Sequence, residues 1–434
     1  MASRTCYWEF SACDKPVERG IETVMTKNKI NWGKTPWKIS FRAKPKALPE
    51  HVDSVVVGGG FTGLTAAAWL ARGKSVLLLE AGQLGDGASG RTGGMALAQT
   101  AAGDLPGLGD VLRGYRNILK RLRVNADLEL PGVWEIARGD RSMEGKAIRP
   151  LQRSPIDWSD SGRVRAVGKV SGGTVDPGKL VSGLARAAVK GGAQIVEGSE
   201  VVKIEFADPL RLHVRPRYYG GRVTEKIVTA GKVLLATNAG SLDLAEELFA
   251  GKVPAEPKLT FAIATAPLTK KQLADIGMAS SRPFYSVDIP YLWGRLLRSN
   301  RMIFGSGLVP AFGESLRGEG MARKSADSRL RKLWSGLEEF IIRSGQAAER
   351  IRTLENRVRQ LHPALKNVRI THRWGGPILL TKDFVPVFRC HPKSEKVIVL
   401  GGYSGHGVAL SVYLGRWAAE VLDGWRSMPN WARQ

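Results

Sequence analysis

Apolar positions along the chain change period several times, and each period predicts a different element. Val55–Val57 is an unbroken apolar run, the mark of a strand buried on both faces. Small and apolar residues from Leu64 to Ala71 predict a closely packed helix, and Val76–Leu79 a second strand. Val111, Leu112, Tyr115, Ile118, Leu119 and Leu122 recur at helical spacing and predict a basic amphipathic helix over 111–130. Asp176 and Pro177 read as the cap and first turn of another helix, leading into short strands at Gln194–Glu197 and Val201–Phe206. A further strand is expected at Lys232–Ala236. Residues 256–310 alternate and favour β-structure, as in Leu259–Thr265 and Arg301–Ser306, which predicts a separate antiparallel sheet. Residues 325–362 read as charged and helical, and a strand at Lys396–Leu400 precedes a long helix to Trp425. Residues 1–50 hold Trp8, Trp32 and Trp37 without a clear period and read as an extension. It could anchor on the body, cover a site or meet another subunit.

The first strand breaks into Gly58-x-Gly60-x-x-Gly63, and the second ends in Glu80. Strand, glycine turn, helix, strand and terminal acid make a dinucleotide-binding βαβ unit. Gly58 permits the tight turn, Gly60 lets a pyrophosphate approach the backbone, and Gly63 lets the helix lie against the sheet. Free N–H groups at the helix start attract phosphate. Glu80 suits an unmodified ribose and repels a 2′-phosphate, which argues against NADP.

Composition narrows the function classes. The 434 residues carry 43% hydrophobic and 24% charged residues, ordinary for a globular protein with a substantial core. No apolar run is long enough to cross a bilayer, and no apolar leader core opens the chain. Glu9, Asp14, Glu18 and Glu22 do not suit an acid-poor presequence, so a cytoplasmic protein is expected. Three cysteines, Cys6, Cys13 and Cys390, make no disulfide framework, and six scattered histidines make no metal motif. The net charge of +25 gathers in runs such as Arg113–Arg123, Arg323–Lys332 and Arg350–Arg359. Such runs suit an anionic surface partner or a solvated helix face. Without aromatic interleaving they do not suggest DNA.

Four motifs in order bring a family into view. They are Val55–Ala71 with Glu80, Gly87-Ala-Ser-Gly-Arg-Thr-Gly-Gly94, Gly173-Thr-Val-Asp-Pro-Gly-Lys-Leu180, and the pair Arg373-Trp-Gly-Gly-Pro377 and Gly401-Gly-Tyr-Ser-Gly-His-Gly-Val408. Over about residues 51–425 the chain resembles the D-amino-acid oxidase and glycine oxidase superfamily of flavoproteins, most of all the bacterial γ-glutamylputrescine oxidase-like group. The resemblance implies an α/β fold. A discontinuous, doubly wound, glutathione-reductase-like Rossmann domain (51–95, 165–250 and 366–434) would hold FAD. A substrate domain with an antiparallel sheet and helices would come from 96–164 and 251–365.

It also implies site residues. Gly58, Gly60, Phe61, Thr62, Gly63, Glu80 and Ala81 would cradle the nucleotide end of FAD. Ser89, Gly90, Arg91, Thr92, Gly93, Gly94 and Met95 match the loop along the pyrophosphate and flavin, with Thr92 replacing the usual Asn. Val202 matches a backbone contact to adenine, and Gly402, Tyr403, Gly405, His406, Gly407 and Val408 the loop beside the flavin. The last helix would aim its positive dipole end at the flavin and favour its reduced, anionic form. No cysteine stands before the Thr381-Lys-Asp segment, where some members attach the flavin, so FAD is expected to be non-covalent.

The implied reaction is hydride transfer from a carbon bearing an amine to flavin N5, followed by imine hydrolysis and reoxidation by O2. The substrate would be a small amine or amino acid. Arg295, Tyr291, Trp293 and His372 are the candidates around the reacting carbon, with Tyr285 and Trp374 nearby. Arg295 falls near a cation that some relatives keep by the flavin, or is an ordinary strand arginine. Tyr291 and Trp293, on one face of a strand, line a pocket or belong to the core. His372 is catalytic or structural. Two other functions stay open: a dehydrogenase giving electrons to a quinone or protein acceptor at a membrane surface, and a tRNA-associated flavin factor.

Overall fold

A computed structural model describes residues 31–142, 145–216, 224–241, 243–249, 255–310 and 345–433. The expected basic run Arg323–Lys332, Trp8, Cys6 and Cys13 lie outside these residues.

The chain begins with β1 (Gly33–Lys34), β2 (His51–Val57), α1 (Phe61–Leu70), β3 (Val76–Leu79), β4 (Met95–Leu97) and α2 (Val111–Leu122). Then come β5 (Val133–Ala137), β6 (Asp157–Ser159), β7 (Arg163–Val170), β8 (Gly172–Thr174), α3 (Pro177–Lys190), β9 (Gln194–Val196), β10 (Ser199–Glu205), β11 (Leu210–Pro216) and β12 (Lys226–Leu235). The second half holds β13 (Ala255–Pro267), α4 (Lys270–Asp275), β14 (Phe284–Ser286), β15 (Leu292–Leu296) and β16 (Arg301–Pro310). It ends with α5 (Gly345–Leu361), β17 (Ile370–Thr381), β18 (Val387–His391), β19 (Ser394–Gly401) and α6 (Gly407–Leu422).

Two large sheets organise these elements. In the eight-stranded sheet β12, β2, β3 and β9 run parallel, β19 joins β12 in parallel, and β10–β11 and β18 add antiparallel edges. Helices α1, α3 and α6 cover one face. Every residue of α1 is buried, which explains its small side chains: Gly63 lies against the Gly58 carbonyl, and Gly415 of α6 against the backbone of Thr62. The nine-stranded sheet runs β1-β17-β13-β16-β15-β14-β5-β7-β6, and α5 packs Ile351, Leu354 and Val358 on one of its faces. Residues 163–170 and 370–381, expected in part with the nucleotide-binding segments, are strands of this second sheet. This sheet is antiparallel except where β14 meets β5 in parallel.

Helix α2 is shorter than its pattern suggests. It stops at Leu122 because Arg123 turns left-handed (φ 55°) and its N–H closes back on Leu119 and Lys120. Helix α1 starts three residues before the expected Leu64, since Gly60 already serves as its cap. Asp176 caps α3 by accepting from the Lys179 amide at 2.8 Å, with Pro177 in the first turn, as expected. Among the described residues no helix is long and apolar enough to cross a membrane.

Candidate functional site

The glycine turn has the geometry that a nucleotide cradle needs. Gly58 adopts φ +109°, a left-handed value that only glycine takes without strain. A Cβ on Gly63 would stand 2.0 Å from the Gly58 carbonyl oxygen, so helix and strand could not approach as they do. The start of α1 presents the Phe61 amide, which donates to Ser89 Oγ at 2.9 Å. Thus the second glycine-rich loop lies over the first, as a pyrophosphate site requires. Glu80 receives the Gly59 amide on Oε2 and the Gly82 amide on Oε1, each at 2.7 Å. These bonds hold the carboxylate at the strand end, beside Ala81. Val202 falls where the β10–β11 register shifts, so it stands outside the ladder.

Residues 88–95 turn from this cradle toward the nine-stranded sheet. Gly90 donates to Gly85, Thr92 to Ala88, and Met95 enters β4. Burial pulls the Arg91 guanidinium down to about 10 despite Asp86 nearby. The loop closing the site from the other side has Gly402 (φ +64°) donating to Asn238 Oδ1 at 2.9 Å. Asn238, itself at φ 50°, was not singled out from the sequence; its signal was the T-N-A-G turn after a strand. Tyr403 is buried and shares a 2.7 Å hydrogen bond with Thr62 Oγ1, tying the start of α6 to α1. His406 precedes Gly407 and Val408, and its Nδ1 is buried with no partner among the described residues. Burial holds its imidazole below the usual histidine range.

Over the glycine loop stands one cross-strand row of the nine-stranded sheet. Gly168, Glu135, Tyr285, Trp293, Gly305, Ala262 and Trp374 are successive register partners. The Trp293 indole lies across Gly305 and against Gly93: a Cβ on either would stand within 2.0–2.2 Å of the ring. Trp374 is buried and donates from Nε1 to the Arg91 carbonyl at 2.8 Å. A second row, Arg295, Ile303, Ala264 and His372, runs beside it. Arg295 is 4% exposed; its Nη1 donates to the Val175 carbonyl at 2.7 Å, beside Gly94. Burial pulls Arg295 down to about 10, against the pull of Asp176 and Glu129.

Not every candidate converges. Tyr291 precedes β15 instead of lying on it, in a turn after the cis Ile289–Pro290 peptide, though its ring packs with Trp293 and Tyr285. Burial pushes its hydroxyl up to about 12. His372 shares the face of Arg295 but stands three strands away, with Nδ1 2.9 Å from Thr371 Oγ1. Burial, Arg301 and Lys34 hold its pKa low. Trp293, Arg295, Tyr285 and Tyr291 are thus grouped beside the loop, and His372 is set apart.

Residues 32–47, read as an extension that could anchor on the body or cover a site, make contacts that no period in the sequence locates. The Trp37 indole donates to the Gly90 carbonyl at 2.8 Å and meets Trp374 edge-on at 5.6 Å. The Gly375 amide donates to the Trp32 carbonyl, and the Ser40 amide to Ser182 Oγ. This strap lies directly on the glycine loop.

The family model described as FAD dependent oxidoreductase (DAO) matches residues 53–421. The chain belongs to this family. Its cofactor is FAD, and the glycine cradle, the paired loops and the orphaned His406 nitrogen fit that group. Among curated relatives it is similar to gamma-glutamylputrescine oxidoreductase of Escherichia coli (strain K12), 28% identical over 416 residues, covering 86% of this chain and 84% of that one. It is likewise similar to the probable oxidoreductase OrdL of Rhizobium meliloti (strain 1021), 28% identical, with 86% and 83% covered. Glycine oxidase from Geobacillus kaustophilus shares the fold at TM-score 0.61 and 19% identity, covering 89% of this chain and 98% of that one. L-Proline dehydrogenase from P. horikoshii does so at TM-score 0.64 and 20% identity, covering 89% and 97%.

Proposed function

We propose that this FAD-dependent oxidoreductase oxidises the C–N bond of a small amine or amino acid. The observation that carries this reading is the aromatic wall of Trp293, Tyr285 and Tyr291, which packs beside Met95 and sets the Trp293 ring against Gly93 of the second glycine-rich loop. Such a wall excludes water and holds a substrate carbon in place. The curated relative named for gamma-glutamylputrescine supports the substrate class. When bound, FAD supplies the two-electron acceptor.

The residues of this chain do the rest. Gly58, Gly60 and the start of α1 would hold the pyrophosphate, Glu80 the ribose, and the start of α6 would turn its positive dipole end to the ring. Arg295 ties Gly94 to Val175 and keeps a positive charge in a dry place, which favours reduction. Few proton transfers are needed if the amine binds neutral, in keeping with the distance of His372 from the row. The FAD is held by contacts alone. Cys390 sits inside β18, and burial raises its thiol pKa, which disfavours the thiolate that attachment needs.

Anaerobic mixing of the yellow protein with amines, N-methyl amino acids and amino acids tests the reading. Bleaching of the flavin band by one of these classes is expected, and no bleaching by any of them refutes it. Rapid return of colour in air makes the enzyme an oxidase. Slow return favours the second reading, a dehydrogenase at an anionic surface, for which three guanidiniums (Arg72, Arg121 and Arg416) gathered on the Trp69 ring offer a contact.

A further inference from the structure

The row that carries Trp293 continues across two more strands to a carboxylate. Tyr285 is the register partner of both Trp293 and Glu135, and its hydroxyl donates to Glu135 Oε1 at 2.8 Å. The carboxylate lies flat on Gly168, the next residue of the row, where a Cβ would come within 2.5 Å of Oε2. Val133 and Tyr285 on this face pack with Met95, Tyr291 and Trp293, whereas Trp134 and Ile136 face the opposite core. Glu135 therefore shares the site face.

Its surroundings are unusual for this chain. Lysine and arginine total 65 against 40 acids, yet among the described residues no cationic side chain pairs with Glu135. A half-buried carboxylate supported by one hydroxyl retains free lone pairs, and withdrawing it from water is costly unless a cation is supplied. Glu135 stands two strands from Trp293, about 10 Å at ordinary strand spacing. A short alkyl chain spans that distance.

We propose that Glu135, positioned by Tyr285, binds an ammonium group of the substrate remote from the C–N bond that is oxidised. The substrate class is then an amine with a second cationic nitrogen at the far end of a short chain. This inference rests on the amine reading of the site given above.

The test compares cadaverine with hexylamine, in which a methyl group replaces the distal ammonium. Apparent dissociation constants come from anaerobic flavin reduction of the holoenzyme. The wild type is expected to prefer the diamine, and E135Q to weaken diamine binding by roughly 10- to 100-fold, the worth of a lost charged hydrogen bond. The preference over hexylamine then collapses. E135D and Y285F, which retain the carboxylate, are expected to keep part of it, so a folding failure of E135Q leaves the idea testable. A wild type without preference, or a preference that survives in E135Q, overturns the role of Glu135 alone. A wild type reduced by no amine overturns the amine reading and this inference together.

Discussion

At the scale of single residues, burial of ionisable groups near the site has a measurable consequence. His406 is buried on the loop that opens α6, and burial lowers its pKa below the unfolded value of about 6.5. The unfolded chain therefore binds more protons than the native one as pH falls through that value. Stability is full above it and declines toward the lower native pKa. The melting temperature should drop between neutral pH and about pH 5, and H406N should flatten that slope; unchanged slopes in a thermal scan would refute the assignment. Legibility at this scale was uneven. Gly58, Gly63 and Glu80 announce themselves because a close backbone approach admits few residue types. Asn238 and Glu135 do not, because their roles depend on which strand lies beside them.

Elements pose a different question, since register between distant strands is set by packing rather than by local pattern. The run of β-formers over 256–310 was enough to expect an antiparallel sheet, and one formed. Nothing local says that Trp293 is paired with Gly305 and Tyr285, or that Glu135 joins the same row from more than a hundred residues away. Contacts between elements yield two predictions. Arg357 of α5 donates to the carbonyls of Pro290 and Tyr291 and to Asp160, fixing the turn that carries Tyr291. R357M should cost about 2 kcal/mol in chemical denaturation, the worth of hydrogen bonds to a charged group, because Arg138 still pairs with Asp160. The second concerns the strap. W37A removes the bond to Gly90 and the edge contact with Trp374. The dissociation constant for FAD, followed by flavin fluorescence on dialysis, should rise roughly tenfold; unchanged retention would show that the strap does not steady the loop.

On the scale of the whole molecule, charge acts through repulsion. The net charge of +25 and the arginines around Trp69 repel one another, and Arg121 and Arg416 add to the burial that lowers Arg72. Screening shortens the reach of that repulsion to under a Debye length, about 10 Å at 0.1 M salt. Added sodium chloride should therefore raise the melting temperature; a fall would mean that surface ion pairs such as Arg163–Asp157 outweigh the repulsion. The fold class was legible because the βαβ unit and the alternating segment each have a distinctive period. The division of β7 and β17 between the sheets was not, because either sheet would bury such strands.

The pairing of Gly33 and Lys34 with Trp374 and Arg373 has a bearing on how the protein can be handled. Two residues of the strap occupy the rim of the nine-stranded sheet, and the Trp32 carbonyl takes the Gly375 amide. Without them the backbone of β17 around Arg373–Gly375 would present open amides and carbonyls on its outer side. Such a rim recruits other chains. A chain trimmed to the start of the nucleotide unit should thus self-associate, visible as a concentration-dependent mass in light scattering. The short segment that touches the second glycine-rich loop would then also keep neighbouring molecules apart.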